Sequence, residues 1–411
     1  MFIEWMALIV FSLSIAALLY TFAGYPLLLL LVSRLRGLDV QSADGADFAP
    51  TVTVIITAYN EERDLAAKLE NTLALEYPKE KLEIIVASDC SGDATDDIAR
   101  AFASRGVRLH RQLERLGKTA AQNAAVLLAR GEVLFFSDAT TKYQRDVLQV
   151  MLPNFADPSV GCVAGRLIYI DPTSSSVGKG ARSYWGYETF LKRHESRACS
   201  LIGASGCLYA VRRSAYVPLY AEACSDFIIA TKMVEQNLRV IFEPAAICTE
   251  ESNRRADKEL RMRVRVITQT YGDLWRHRSM LNPLRSGFYA VELLSHKVLR
   301  YSVPFFLALM FLSSLWLAAR SPFFLLALVI QIAFYIMAAL GWLLESSNES
   351  YRMLALPQYL VLANTASVIA LYKFLRGERF VSWEPTREQA RQEPILDVPA
   401  VPTATSHGSE D

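Results

Sequence analysis

The sequence has almost no excess charge of either sign: 43 basic and 42 acidic side chains leave +1 over 411 residues. No global field therefore draws in nucleic acid or another polyanion, and any anion site has to be local. The six cysteines, Cys90, Cys162, Cys199, Cys207, Cys224 and Cys248, include no C-x-x-C pair and do not alternate with histidine at ligand spacing. That excludes a zinc ribbon or a thioredoxin-like centre and predicts reduced, mostly structural thiols. All six lie in the central region, which favours a reducing compartment for it. His194, His277 and His296 form no metal set by spacing. There is no P-loop, no G-x-G-x-x-G and no Ser/His/Asp constellation, so phosphate-loop, dinucleotide and serine-hydrolase chemistries are set aside.

Charge is also missing locally. Between Trp5 and Val32 there is no charged residue, and at ~1.5 Å per residue this run crosses the hydrocarbon core as one tilted helix. It is too long for a cleaved signal peptide, no positive region precedes it and no A-x-A-like site ends it. Arg34 and Arg36 follow it while only Glu4 precedes, so the positive-inside rule directs the next residues to the cytoplasm. Near the other end, Tyr301–Ala319 and Phe323–Leu344 are strong spanning candidates, and Met353–Tyr372 is interrupted by Pro357, Gln358 and Asn364. One crossing before the domain and three after it would put the tail outside, whereas Lys373, Arg376 and Arg379 favour the inside. Met353–Tyr372 is then the segment expected to be re-entrant or interfacial.

What is present between these ends is an α/β pattern from Thr51 to about Ile247. Apolar, β-branched runs at Thr51–Thr57, Leu82–Ser88, Val107–His110, Val133–Asp138 and Val160–Leu167 read as strands buried on both faces. Helical periodicity marks Glu62–Leu75, Ala94–Ser104 and Thr119–Ala129. A mostly parallel sheet with flanking helices follows. The expected plan is a transmembrane helix over 1–33, a linker over 34–50, a catalytic domain over 51–256, interfacial amphipathic helices over 257–300, about three transmembrane helices over 301–375, and a tail over 376–411, disordered from about 391.

Ligands of an open α/β sheet sit beyond the carboxyl ends of the strands. There the sequence reads Thr57-Ala58-Tyr59-Asn60-Glu61-Glu62, Ser88-Asp89-Cys90-Ser91-Gly92-Asp93 and Ser137-Asp138-Ala139-Thr140-Thr141, with Leu116-Gly117-Lys118 before a helix. Singly, Asn60 or Asp93 reads as a helix cap. The four stretches together define one polar edge.

These stretches resemble family 2 glycosyltransferases of the GT-A fold, closest to the membrane synthases of cellulose, hyaluronan and poly-N-acetylglucosamine type. The likeness runs on through G-A-S-G-C-L-Y-A-V-R-R at 203 to 213, S-D-F at 225 to 227, R-M-R-V-R at 261 to 265, S-H-K-V-L-R at 295 to 300 and W-E-P-T-R at 383 to 387. The resemblance implies an inverting hexosyl- or N-acetylhexosaminyltransferase that uses a nucleotide sugar, expected to be a UDP-sugar, and a growing glycan or lipid-linked acceptor. It also implies a bacterial inner (plasma) membrane location with the catalytic domain cytoplasmic.

Carried over by position, the donor would meet Thr57, Ala58, Tyr59, Glu61, Asp89 and Lys118, with Asp89 on the base. Asp138 would hold Mg²⁺ or Mn²⁺ against the diphosphate, with Thr140 where the D-x-D motif has its second acid. Asp226 would be the general base, Ser225 replacing the acid before it; Glu222, Glu250 and Glu251 are the comparable acids nearby in sequence. Gly203, Ser205 and Gly206 would line the acceptor side. Arg263 or Arg265 would hold phosphate, although the Gln and Trp of the Q-x-x-R-W segment are absent. Trp383 and Arg387 resemble a gating segment. The alternatives kept beside this reading are a polyprenyl-phosphate monosaccharide synthase and a weakened assembly subunit of the same fold.

Overall fold

The computed structural model describes residues 2–43, 48–170, 176–251, 255–344 and 352–382. Helix α1, Phe2–Arg36, passes through a π-helical turn at Tyr20–Gly24 and ends on Gly37, whose φ of 51° makes the left-handed cap that glycine tolerates. The globular part then alternates β1 (Val52–Ala58), α2 (Leu65–Leu73), β2 (Leu82–Ser88), α3 (Thr95–Ala101), β3 (Val107–Arg111), α4 (Lys118–Leu128) and β4 (Val133–Asp138). After β4 come β5 (Lys142–Tyr143), α5 (Val147–Met151), β6 (Val160–Ile170), α6 (Ser176–Ala198), β7 (Tyr209–Arg212), α7 (Ser225–Glu235) and β8 (Arg239–Glu251).

The eight strands form one sheet in the order β3-β2-β1-β4-β7-β6-β8-β5. Its first half, through β4, is wholly parallel. β7 then runs antiparallel to β4 and β6, β8 parallel to β6, and β5 antiparallel to β8. The continuous apolar runs have the reason anticipated for them, since the period of two sends alternate residues into separate cores. Val54, Ile56, Ile84, Val86 and Phe135 pack with Leu65 and Leu69 on one face, while Ile55, Ile85, Leu134 and Phe136 pack with Ala121 and Ala125 on the other. The expected strands and helices appear at nearly the predicted positions. β5, β7 and β8 were not anticipated. β8 is masked in the sequence by Pro244, where the register against β6 jumps from Gly165↔Glu243 to Arg166↔Ile247 and leaves a bulge.

All six cysteines are free, and Cys90 and Cys199 are only half-buried. Beyond the sheet, α8 (Ala256–Arg276) is followed by α9 (Phe288–Leu317), α10 (Pro322–Leu343) and α11 (Arg352–Leu375). Four described helices are long and apolar enough to cross a membrane: Phe2–Arg36, Phe288–Leu317, Pro322–Leu343 and Met353–Leu375. α8 and α11 lie side by side. Val264 and Ile267 pack against Ala366 and Ala370, Arg263 meets Tyr359, and Tyr271 stacks on Phe374. A buried polar network ties the helices to α6: Tyr25 Oη donates to Glu195 at 2.8 Å, His296 sits 2.5 Å from Glu195 and 3.2 Å from Glu188, and Arg300 pairs with Glu188.

Candidate active site

The strand register brings the predicted donor residues to one edge: Ala58 pairs with Ser88, and Thr57 with Asp138. Two non-glycine residues in the left-handed region, Asn60 (φ 53°) and Cys90 (φ 61°), turn the chain just beyond β1 and β2. Such conformations carry a conformational cost that the surrounding contacts must offset. Here the two loops clasp each other: Gly92 N–H donates to Asn60 Oδ1 at 2.8 Å, Glu62 N–H to Asp93 Oδ2 at 3.1 Å, and Asn60 N–H to Ser91 Oγ at 3.2 Å. Asn60 and Asp93 are therefore loop-building residues, in keeping with the capping reading. Glu61 is buried, its N–H donating to Thr95 Oγ1 at 2.8 Å, and the Tyr59 ring lies 3.8 Å beneath the Arg115 guanidinium. The Thr57 hydroxyl is buried with no hydrogen-bond partner among the described residues.

Asp89 is buried at the floor of this edge and accepts from Leu116 N–H at 2.8 Å and from Gly117 N–H at 2.9 Å. Burial raises its pKa, and the two amides and Arg115 oppose the rise. Gly117, at φ 93°, starts α4, and the next residue, Lys118, pairs with Asp138. Consecutive residues thus bridge the second and fourth strand ends. Burial pulls the Lys118 ammonium down, but the charges of Asp138 and Asp226 outweigh it and leave its pKa raised.

The turn after Asp138 is held from beneath. Lys68, fully buried, donates from Nζ to Thr141 O at 2.9 Å and Thr141 Oγ1 at 3.2 Å, 3.5 Å over the Tyr143 ring. Burial lowers its pKa to about 7. The Thr140 hydroxyl donates to Glu250 Oε1 at 2.7 Å. Among the described residues no three His, Cys, Asp or Glu side chains gather as a metal cage. Asp138 is instead a single, partly exposed carboxylate at the mouth of the site. That donor set fits a hard divalent ion of the Mg²⁺ kind, which takes one or two carboxylates and completes its shell with substrate phosphate and water.

Asp226 sits in the first turn of α7, where Cys224 Sγ–H donates to its Oδ1 at 3.1 Å. Its main-chain oxygen accepts the Ala204 N–H at 2.8 Å, which fastens the 203–206 loop against it. A methyl at Gly206 would lie 3.2 Å from Asp226 Oδ2, so glycine lets the loop run alongside the carboxylate. Ser205 Oγ accepts from Lys192 Nζ at 2.8 Å, and Gly203 faces the backbone of Phe227. Acceptor-loop residues and Asp226 therefore come together, with Lys192 as a cation that sequence reading missed.

The two arginines of α8 part company. Burial lowers the pKa of Arg265 while Cys224, Asp138 and Asp226 push it back, so this guanidinium lies in the field of both site acids. Arg263 turns the other way, 2.8 Å from Glu259 Oε1 and against Tyr359 of α11. After α11 the chain returns to the donor edge. Gln269 Nε2 donates to Phe380 O at 2.9 Å, and a methyl at Gly117 would collide with the Val381 carbonyl. Trp383 and Arg387 lie outside the described residues, two and six positions past this contact.

Lys68 and Lys192 carry no motif, and what sets them apart is burial, at 1% and 9% exposure. For Lys68 the available signal was its place on the face of α2 shared with Leu65, Leu69 and Thr72, an i, i+3, i+4 pattern that points inward.

Residues 53–217 match the model of the family described as "Glycosyl transferase family 2". Poly-beta-1,6-N-acetyl-D-glucosamine synthase of Staphylococcus aureus (strain COL) is 28% identical over 234 residues, 55% of this chain and 52% of that protein. Glycosyltransferase AglE of Haloferax volcanii is 27% identical over 157 residues, 37% of this chain and 52% of that protein. The chain thus spans about half the length of these curated relatives. Among solved structures, the mannosyltransferase PcManGT from Pyrobaculum calidifontis, in complex with GDP-Man and Mn²⁺, superposes with a TM-score of 0.69 at 23% identity, covering 90% of this chain and 99% of that one. That likeness establishes the GT-A fold.

Proposed function

We propose that this chain, whose residues 53–217 match the glycosyl transferase family 2 model, moves a sugar, with inversion, from a nucleotide sugar to a growing polysaccharide or glycolipid acceptor at a membrane. The observation that carries this reading is one charge arrangement: Lys118 and Arg265 both feel Asp138 and Asp226. A lysine paired with Asp138 and an arginine in the field of both acids suit a reaction in which diphosphate departs beside one acid and a hydroxyl loses its proton to the other. The sugar in the relative's name favours an N-acetylhexosamine as the group transferred.

In this reading the nucleoside lies along Thr57, Ala58, Tyr59, Glu61 and Asp89, where the Thr57 hydroxyl awaits a partner. Lys118 and Arg265 hold the diphosphate, since both offer donors to its oxygens as negative charge develops. A divalent ion at Asp138 supplies further neutralisation of that charge. Asp226 takes the proton of the acceptor hydroxyl as the new glycosidic bond forms and the bond to diphosphate breaks, and the acceptor enters over Gly203, Ser205 and Gly206. The 376–382 segment against Gly117 supports a gating role for the residues that follow. For the membrane part, α11 beside the amphipathic α8 favours an interfacial Met353–Tyr372, with three crossings and the tail on the catalytic side.

The test is Asp226→Asn with nucleoside diphosphate release measured over a panel of UDP- and GDP-sugars. Loss of a general base costs ~10²–10⁴-fold in turnover with donor KM nearly unchanged. Retention of more than about a tenth of wild-type turnover moves the base to Glu222, Glu250 or Glu251.

A further inference from the structure

We infer that Asp273 is a positioning residue for the transfer step: from the interfacial helix α8 it holds the backbone that aims Asp226. This rests on the reading of Asp226 as the base. Asp273 is 1% exposed, on the inward face of α8, where its Oδ2 accepts the Cys224 N–H at 3.0 Å and its Oδ1 accepts the Tyr220 hydroxyl. Cys224 is the residue before α7, and its side chain makes no capping bond to that helix. Its carbonyl accepts from Phe227 N–H at 3.0 Å and Ile228 N–H at 2.9 Å, and its thiol donates to Asp226 Oδ1 at 3.1 Å. The peptide that Asp273 grips is therefore the one that starts the helix carrying Asp226 and places the thiol against the carboxylate.

The rest of this loop is tied to the donor side. Thr119 Oγ1 donates to Ala223 O at 3.1 Å, Asn123 Nδ2 donates to Leu219 O at 2.6 Å, and Asn123 Oδ1 accepts Leu219 N–H at 3.1 Å. Both residues belong to α4, one and five positions after Lys118. The loop before Asp226 is thus tied on one side to α4, the helix that begins at Lys118, and on the other to the amphipathic α8. Asp273 makes the second attachment, so a shift of α8 reaches Asp226 without passing through substrate. A misplacement of about 1 Å at a reacting group costs on the order of 100-fold in rate.

The chemistry of Asp273 gives this role a signature. Burial pushes its pKa up to about 7, Tyr220 and Cys224 oppose the rise, Asp226 adds to it and Arg276 subtracts. Other titratable and charged groups around it are His277, stacked on Tyr220 and bound to Glu235 at 2.9 Å, and Glu222, Arg278, Glu378 and Arg379, which line the adjoining 300 Å³ cavity with Asp273 and Arg276. As a carboxylate Asp273 accepts from both donors. Once protonated it carries a donor of its own and one of those contacts weakens, so turnover rises with pH through the neutral range as Asp273 ionises.

The full-length protein reconstituted in lipid is assayed with whichever of UDP-N-acetylglucosamine, UDP-glucose and GDP-mannose gives the fastest nucleoside diphosphate release. Asp273→Ala is expected to lower kcat by about 10- to 100-fold with donor KM unchanged, and to speed amide exchange across 220–228. Asp273→Asn, which like the protonated acid keeps one oxygen to accept the Cys224 N–H, should hold turnover near the low-pH level of the wild type, above that of the alanine variant, and flatten the rise near neutral pH. Asp273→Ala with kcat within about twofold of wild type overturns the inference, as does an unchanged neutral rise in Asp273→Asn. The second result decides alone if the alanine variant does not fold. Asp226→Asn in the same assay separates the two readings. If it stays active, the base assignment fails; if it is inactive while Asp273→Ala is fully active, only the positioning role fails.

Discussion

The two halves of the sheet build their parts of the site differently. In the donor half, β3-β2-β1-β4, every strand is parallel, and Ala58, Asp89 and Asp138 stand at neighbouring carboxyl ends, linked through Gly117 and Lys118. In the other half, β7-β6-β8-β5, directions are mixed, with only β6 and β8 parallel, and the proposed site residues come from a loop (Gly203, Ser205, Gly206), a helix start (Asp226), the end of β8 (Glu250) and α8 (Arg265, Asp273). A parallel sheet gathers its ligand groups at one edge by topology alone. A mixed half needs side-chain contacts to bring distant segments together, which predicts different failures in the two halves.

The largest expected effect breaks the parallel half at Asp138, its partly exposed carboxylate beside Lys118. Asp138→Ala should cost ~10²–10³-fold in kcat through loss of stabilisation of the leaving diphosphate. Thr140→Ala, which removes a hydroxyl already committed to Glu250, should cost several-fold less. Full activity in excess EDTA would remove the metal from this account while leaving Lys118 in it.

A middle-sized effect sharpens the contrast between the two arginines of α8. Arg265→Ala should reduce kcat/KM by about 10- to 100-fold at unchanged thermal stability, as expected for a charge-assisted phosphate contact. Arg263→Ala should do the reverse, lowering the unfolding temperature and leaving kcat/KM alone, because it takes the paired guanidinium from Glu259, whose side chain is 8% exposed. Equal losses of activity from the two substitutions would contradict the division.

The smallest effect tests the acceptor half. Gly206→Ala places a methyl 3.2 Å from Asp226 Oδ2, so the carboxylate must give by a few tenths of an ångström. A loss of a few-fold in kcat, with donor KM unchanged, is expected from a shift well under 1 Å. An effect confined to donor KM would put the loop on the wrong side of the site.

Pattern in the chain was sufficient wherever one local rule decided the outcome. The absence of charge from Trp5 to Val32, the β-branched runs of β1, β2 and β4, and the polar residues that end those strands determined the long apolar N-terminal helix, the parallel half and the polar edge proposed to take the donor, since hydrophobic burial acts on contiguous residues. β8 escaped because Pro244 breaks its pattern and only pairing with β6 across a bulge makes it a strand. The choice between Arg263 and Arg265, left open in the sequence, is one of helix face: two residues apart they point about 200° around α8, one toward Asp138 and Asp226 and the other toward Tyr359. Lys68, Lys192 and Asp273 are ordinary polar residues until tertiary packing removes their water. A charged group so enclosed must find partners, and the partners it finds here are the turn after Asp138, the acceptor loop and the start of the Asp226 helix.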